Sequence, residues 1–184
     1  MLWVKGIEFE MDINESKKRA TSLAKEGKYD EAIALLKKIV PGMAKIGGFG
    51  NGGYTKVIPY FQKVGRYQDG IDYSINTLIP AVEKDCSIAF SHKCKEIQKA
   101  FTHLGTSQIY DKLRLCAKRE KKKDEEVLYE NLSEESWQKY EQFLSVGERI
   151  ELKREFEEAF QIYGVSTDSW PDVIKRRFAD LINT

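Results

Sequence analysis

Large apolar residues recur along the chain at helical spacing and are punctuated by Gly27, Gly65, Gly105 and Gly147, which lie 38, 40 and 42 residues apart. The residue four before each glycine is apolar: Leu23, Phe61, Phe101 and Phe143. Ile33 and Ile71 follow the first two glycines by six residues. Ile39, Ala117 and Ala159 stand twelve after the first, third and fourth, and Thr77 breaks that column. The pattern predicts antiparallel helical hairpins. A glycine at a helix end takes the left-handed conformation that closes the turn. The apolar residue one turn earlier packs into the neighbouring helix. The helices expected are 13–26 and 30–40, 54–64 and 68–79, 86–103 and 107–122, then 133–146 and 148–163. At Gly147 the competing expectation is one helix running through, at a cost of about 1 kcal/mol relative to Ala. A last helix is expected from Ser169-Trp170-Pro171-Asp172 to about Ile182, with Ser as cap and Pro in the first turn. Its apolar stripe is Val173, Ile174, Phe178, Leu181 and Ile182. Asn14 and Ser133 are expected as helix caps, and residues 1–12 as an N-terminal, strand-like arm or extension.

The first hairpin carries Gly27, Tyr29, Asp30, Glu31, Ala32 and Ile33, which resemble the central run of a tetratricopeptide repeat. The second keeps Gly65, Tyr67 and Ile71, with Gly70 at the small-residue position and Tyr54 at the place of the early Trp. Pro41 and Pro80 fall near the ends of the second helices. The period is longer than the family's 34 residues, and the Leu-Gly pair is replaced by Arg19-Ala20 and Val57-Ile58. The resemblance covers about residues 13–80. It implies an all-α fold, a short right-handed array of stacked antiparallel hairpins closed by a C-terminal capping helix. It also implies a concave surface built by the first helix of each hairpin.

Composition changes this picture in one respect. Among 184 residues there are 30 Lys and Arg against 29 Asp and Glu, a net charge of only +1. Residues 1–123 carry 23 and 14, a net of +9, whereas residues 124–184 carry 7 and 15, a net of −8. The expected layout is therefore three basic hairpins (13–122) beside an acidic fourth hairpin and cap (123–184) in one domain. Opposed charges of this size steer partners and permit head-to-tail self-association as a homodimer. No apolar run is long enough to span a membrane. The N-terminus lacks the pattern of a signal peptide. Cys86, Cys94 and Cys116 fit buried positions as reduced thiols. A cytoplasmic protein without membrane contact is expected.

Chemistry-bearing motifs are few. The loop Gly47-Gly48-Phe49-Gly50-Asn51-Gly52-Gly53 formally contains G-x-G-x-x-G, but a helix rather than a strand precedes it. It reads first as a flexible inter-repeat linker, and second as a loop presenting backbone N–H groups to an anion. His92 and His103 are eleven residues apart, about 16 Å along one helix, too far to share a metal. No cofactor, metal or catalytic residue is expected. The run Lys118-Arg119-Glu120-Lys121-Lys122-Lys123 reads as a charged helix end.

If the repeat register holds, the first-helix face collects Lys17, Lys56, Lys63, Lys95, Lys99 and His103, with Trp137 from the fourth hairpin. The function expected is a non-catalytic protein-binding module whose basic groove takes an acidic partner segment or domain. A more specific version is a bacterial immunity or antitoxin-like protein that neutralises a toxin. A nucleic-acid-binding role of residues 1–123 is the alternative from another class, though the interleaved aromatics that stack bases are missing.

Overall fold

The computed structural model describes residues 2–50 and 52–182, with the backbone alone for residues 2–11. The described residues form helices and their connections, with no strand among them. Helix α1 (Leu2–Lys25) and helix α2 (Tyr29–Ile46) make the first hairpin. The turn is the one expected: Gly27 has φ +79°. Its N–H donates to the Ala24 carbonyl at 3.2 Å, and the Lys28 N–H donates to Leu23 at 2.9 Å. The second hairpin repeats that geometry. A 3-10 turn (Thr55–Val57) leads into α3 (Ile58–Lys63), Gly65 has φ +72°, and α4 (Tyr67–Tyr73) follows. Gly65 and Arg66 donate to Gln62 and Phe61 at 3.0 and 2.9 Å.

Several boundaries move. The backbone is already helical at Leu2, so the strand-like arm is not formed and Asn14 lies inside α1 rather than capping it. Met1 lies outside the described residues. Neither proline ends its helix. Helix α2 runs through Pro41 because Val40, Met43 and Ala44 on either side of it are buried. Helix α4 continues through a π-helical stretch (Ser74–Leu78) into α5 (Ile79–Ala89). There the Ile79 N–H reaches back five residues to Ser74. Pro80 has no N–H and its ring crowds the preceding turn, which the wider π turn accommodates.

The third and fourth glycine turns do not occur. Helix α6 (Lys95–Arg119) passes through Gly105, and helix α7 (Lys123–Tyr163) passes through Gly147. Both glycines are buried and serve close packing. A Cβ on Gly105 would lie 2.5 Å from Val82 Cγ1 of α5, and one on Gly147 2.7 Å from Ile97 Cδ1 of α6. The true third turn is at Lys121, with φ +59°. Lys121 and Lys122 donate to Lys118 and Ala117 at 3.2 and 3.0 Å, the bonding pattern of the Gly27 and Gly65 turns. Ser133 is therefore inside α7, where its hydroxyl donates to the Ser107 carbonyl at 3.0 Å. His92 lies in the turn between α5 and α6, not on a helix with His103.

The main core lies between the layers. Helix α2 packs on α1 and α5, α5 on α6, α3 on α6, and α7 lies along α6. Ile13, Met43, Ile58, Phe61, Leu78, Ile109 and Leu113 are its most deeply buried large side chains. A second, smaller core caps the far end of α7. There Trp170 and Phe178 close over Ala159, Phe156 and Phe160, and Trp170 Nε1 donates to the Gly164 carbonyl at 2.9 Å. The expected last helix is broken into a 3-10 turn (Thr167–Ser169), α8 (Asp172–Arg177) and α9 (Ala179–Ile182). Pro171, not Ser169, stands at the start of α8. Val173 leaves the expected stripe and is 71% exposed.

Candidate functional site

The unbroken course of α6 decides where the candidate residues go. At 100° per residue, positions 101, 105, 108, 112, 115 and 119 share one side, and 95, 99, 102, 103, 106 and 110 the other. The first set lines hollows shared with the glycine loop and the segment leading into α3; the second lines a groove against α5 and α7. The single face expected from a repeat register is thus divided. Lys17 and Lys56 lie on the first surface, and Lys95, Lys99 and His103 on the second.

On the first surface, α1 and the turn before α3 enclose a hollow of about 640 Å³ lined by Lys17, Lys18, Lys25 and Lys56 with Asn14, Thr21 and Ser22. Lys56 Nζ donates to Thr21 Oγ1 at 2.9 Å, and that hydroxyl donates to the Lys17 carbonyl at 2.8 Å. Burial, then the neighbouring Lys56, holds the Lys17 ammonium below the usual lysine range. An adjoining hollow of about 310 Å³ shares Lys56 and adds Lys112 and Arg119 of α6. No carboxylate is among the described residues that line either hollow. Lys63 is exposed at the end of α3 and lines neither.

The second surface is a groove of about 670 Å³. Lys95, Lys99, His103 and Lys139 line it, but so do Glu83 and Glu135. Lys139 is paired to Glu135 at 2.6 Å. The His103 ring stacks on Phe143 with centroids 5.5 Å apart, and Lys99 Nζ lies 5.3 Å from the centre of the same ring. Burial, then Lys139, lowers the His103 pKa, so the imidazole is neutral at pH 7. Trp137 is not in this groove. It is 41% exposed and tilts against Tyr140, which in turn tilts against Phe101.

The glycine loop is pinned, not free. Asp85 of α5 is 1% exposed and accepts hydrogen bonds from the Gly48 N–H (2.9 Å), the Phe49 N–H (3.0 Å) and the Tyr54 hydroxyl (2.8 Å). Burial and this bond push the Tyr54 phenol far up. The anion these backbone N–H groups suit is thus the protein's own carboxylate. Gly47 adds a steric reason for the loop's composition: with φ +81°, its Cβ would lie 2.9 Å from Ile88. The sequence did hold a signal for Asp85, since it interrupts the buried stripe Ala81, Val82, Cys86 with an acid. Burial, then Asp85, pushes the Cys86 thiol up to about 11, so it stays protonated. Cys94, expected to be buried, is only half-buried at the start of α6.

A second buried acid organises the start of α6. Glu151 of α7 accepts the Cys94 N–H at 2.6 Å, along with Arg154 at 2.6 Å and Lys93 at 3.4 Å. The acidic half of the chain does not fill the basic hollows. Helix α7 is instead committed along α6, and residues 124–182 contribute nothing to the described linings of those hollows. Among the described residues no helix is long and apolar enough to cross a membrane, and no three His, Cys, Asp or Glu groups are placed to hold a metal ion. Comparison with family models, with curated proteins and with solved structures finds no match.

Proposed function

We propose that the chain is a non-catalytic protein-binding module that holds an acidic partner segment against its α1–α3–α6 face. The observation that supports this is the strip of six cations, Lys17, Lys18, Lys25, Lys56, Lys112 and Arg119, along two adjoining hollows without a carboxylate among the described lining residues. Of the six, Lys18 pairs with Glu15 at its edge. Like charges gathered on one face repel one another, and an acidic segment relieves that repulsion while gaining on-rate from the field. The groove holding Lys95, Lys99 and His103 fits the role less well because Glu83 and Glu135 offset its charge. The likeness of the first two hairpins to tetratricopeptide repeats agrees with a binding role and names no partner. An immunity-type role is the special case in which the acidic partner is a toxin.

Fluorescence anisotropy with a labelled decaglutamate peptide tests the reading. Binding is expected to weaken steeply between 50 and 300 mM salt, on the order of tenfold or more. Lys56→Glu with Lys112→Glu is expected to abolish it, and Lys95→Glu with Lys99→Glu to leave most of it. Loss through the second pair alone, or salt-insensitive binding, overturns the assignment. Tighter binding of an oligothymidylate of equal charge would transfer the face to nucleic acid.

A further inference from the structure

The glycine loop forms one wall of a cavity of about 530 Å³, a size typical of sites for small organic ligands. Three phenyl rings line it, Phe49, Phe90 and Phe101, and each is only half-buried. Phe90 and Phe101 stack with centroids 4.2 Å apart and planes 12° from parallel. A hydrophobic interior normally closes on such rings, so the open apolar surface is available to a flat guest. The loop keeps the space open. Gly48, Gly50 and Gly52 contribute only backbone to this wall, and a Cβ added at any of them meets nothing within 4 Å.

The charges in the cavity are unequal in availability. Among the described lining residues the carboxylate is Asp85, and it already accepts three hydrogen bonds. The cation is Lys17, whose ammonium lies 5.5 Å from the centre of the Phe49 ring. Asn14 and Gln108 add amide groups. We infer that this cavity is a binding site for a small aromatic or conjugated monoanion. Its ring lies against Phe49, Phe90 and Phe101, and its carboxylate pairs with Lys17. The crowding of Lys17 by Lys56 favours this arrangement, since an anion beside the pair relieves like-charge repulsion. The cavity shares Lys17 with the cation strip, whereas Lys112 belongs to the strip and not to this cavity, so substitution at 112 separates the two readings.

Naphthalene-2-carboxylate and the neutral 2-naphthylmethanol are a matched pair of probes, followed in proton–nitrogen correlation spectra of the full chain. The carboxylate is expected to shift the amides of Gly48, Phe49, Gly50, Gly52 and Gly53 saturably, and the alcohol to bind about tenfold more weakly. Lys17→Gln is expected to remove that tenfold preference, whereas Lys112→Gln keeps it. Equal affinity for the two probes, an unchanged preference in Lys17→Gln, or shifts confined to the Lys95–Lys99 groove would each overturn the assignment. Loss of decaglutamate binding in Lys112→Glu with the naphthoate response intact would separate the two sites.

Discussion

At the scale of single residues, the turn at Lys121 explains why part of the array escaped the sequence pattern. Gly27 and Gly65 announce their turns because glycine reaches positive φ without a Cβ clash. Lys121 adopts the same conformation and makes the same two backbone bonds, so nothing in its identity marks the turn. Gly105 and Gly147 mislead in the opposite sense: they are small because Val82 and Ile97 press on them, and they sit in unbroken helix. The two kinds of site respond oppositely to substitution. Lys121→Gly is expected to raise stability by about 0.5–1 kcal/mol by removing left-handed strain. Gly105→Ala is expected to lower it by about 1–3 kcal/mol through overpacking, despite alanine's better helix propensity. Denaturant midpoints of both variants check the pair, and a stabilised Gly105→Ala would refute the packing argument.

At the scale of elements, the start of α6 shows how a long-range acid replaces a local cap. Cys94 at the start of α6 provides no side-chain cap, and Glu151 from α7 satisfies its N–H across 57 residues of chain. The Cys94 N–H, then Lys93 and Arg154, hold the Glu151 carboxyl below the ordinary glutamate value of about 4.3. A carboxyl depressed in the folded state stabilises fully above its unfolded pKa and loses that contribution as pH falls through its folded one. Glu151→Gln is therefore expected to cost about 1 kcal/mol at pH 7. Its deficit against the parent should shrink as the pH is lowered past about 4. Urea melts at pH 7 and pH 3 read both; a deficit that grows in acid would contradict the assignment. Asp85 likewise satisfies backbone N–H groups of a distant segment, those of Gly48 and Phe49 in the glycine loop. Both acids sit on helix faces that read as ordinary periodic positions, and their partners come from distant segments. The first two hairpins, whose turns are local, were legible in the sequence. The division of the basic residues between two surfaces was not, because it depends on the angular phase of a 25-residue helix whose start the glycine pattern misplaced.

At the scale of the whole molecule, the near-zero net charge is a sum over separated regions. Six of the 23 cations of residues 1–123 line the hollows left by α1, α3 and α6. The anions of residues 124–184 lie mostly on α7, whose Glu125 already receives the Tyr67 hydroxyl at 2.8 Å. That helix is 41 residues, about 60 Å, and joins two cores that share no buried residue: one around Phe61 and Leu113, the other around Trp170 and Phe178. The small core belongs to a segment too short to persist alone, so it rests on the last turns of α7. Amide hydrogen exchange should therefore proceed in two tiers. Residues 156–163 and the α8–α9 segment should open at a small fraction of the global free energy, while α6 and the middle of α7 exchange only on full unfolding. A single exchange tier along α7 would mean that the small core and the array melt as one. In time rather than space, the long helix is thus a boundary: its first 33 residues keep the lifetime of the array, and its last 8 live on the shorter clock of four aromatic rings.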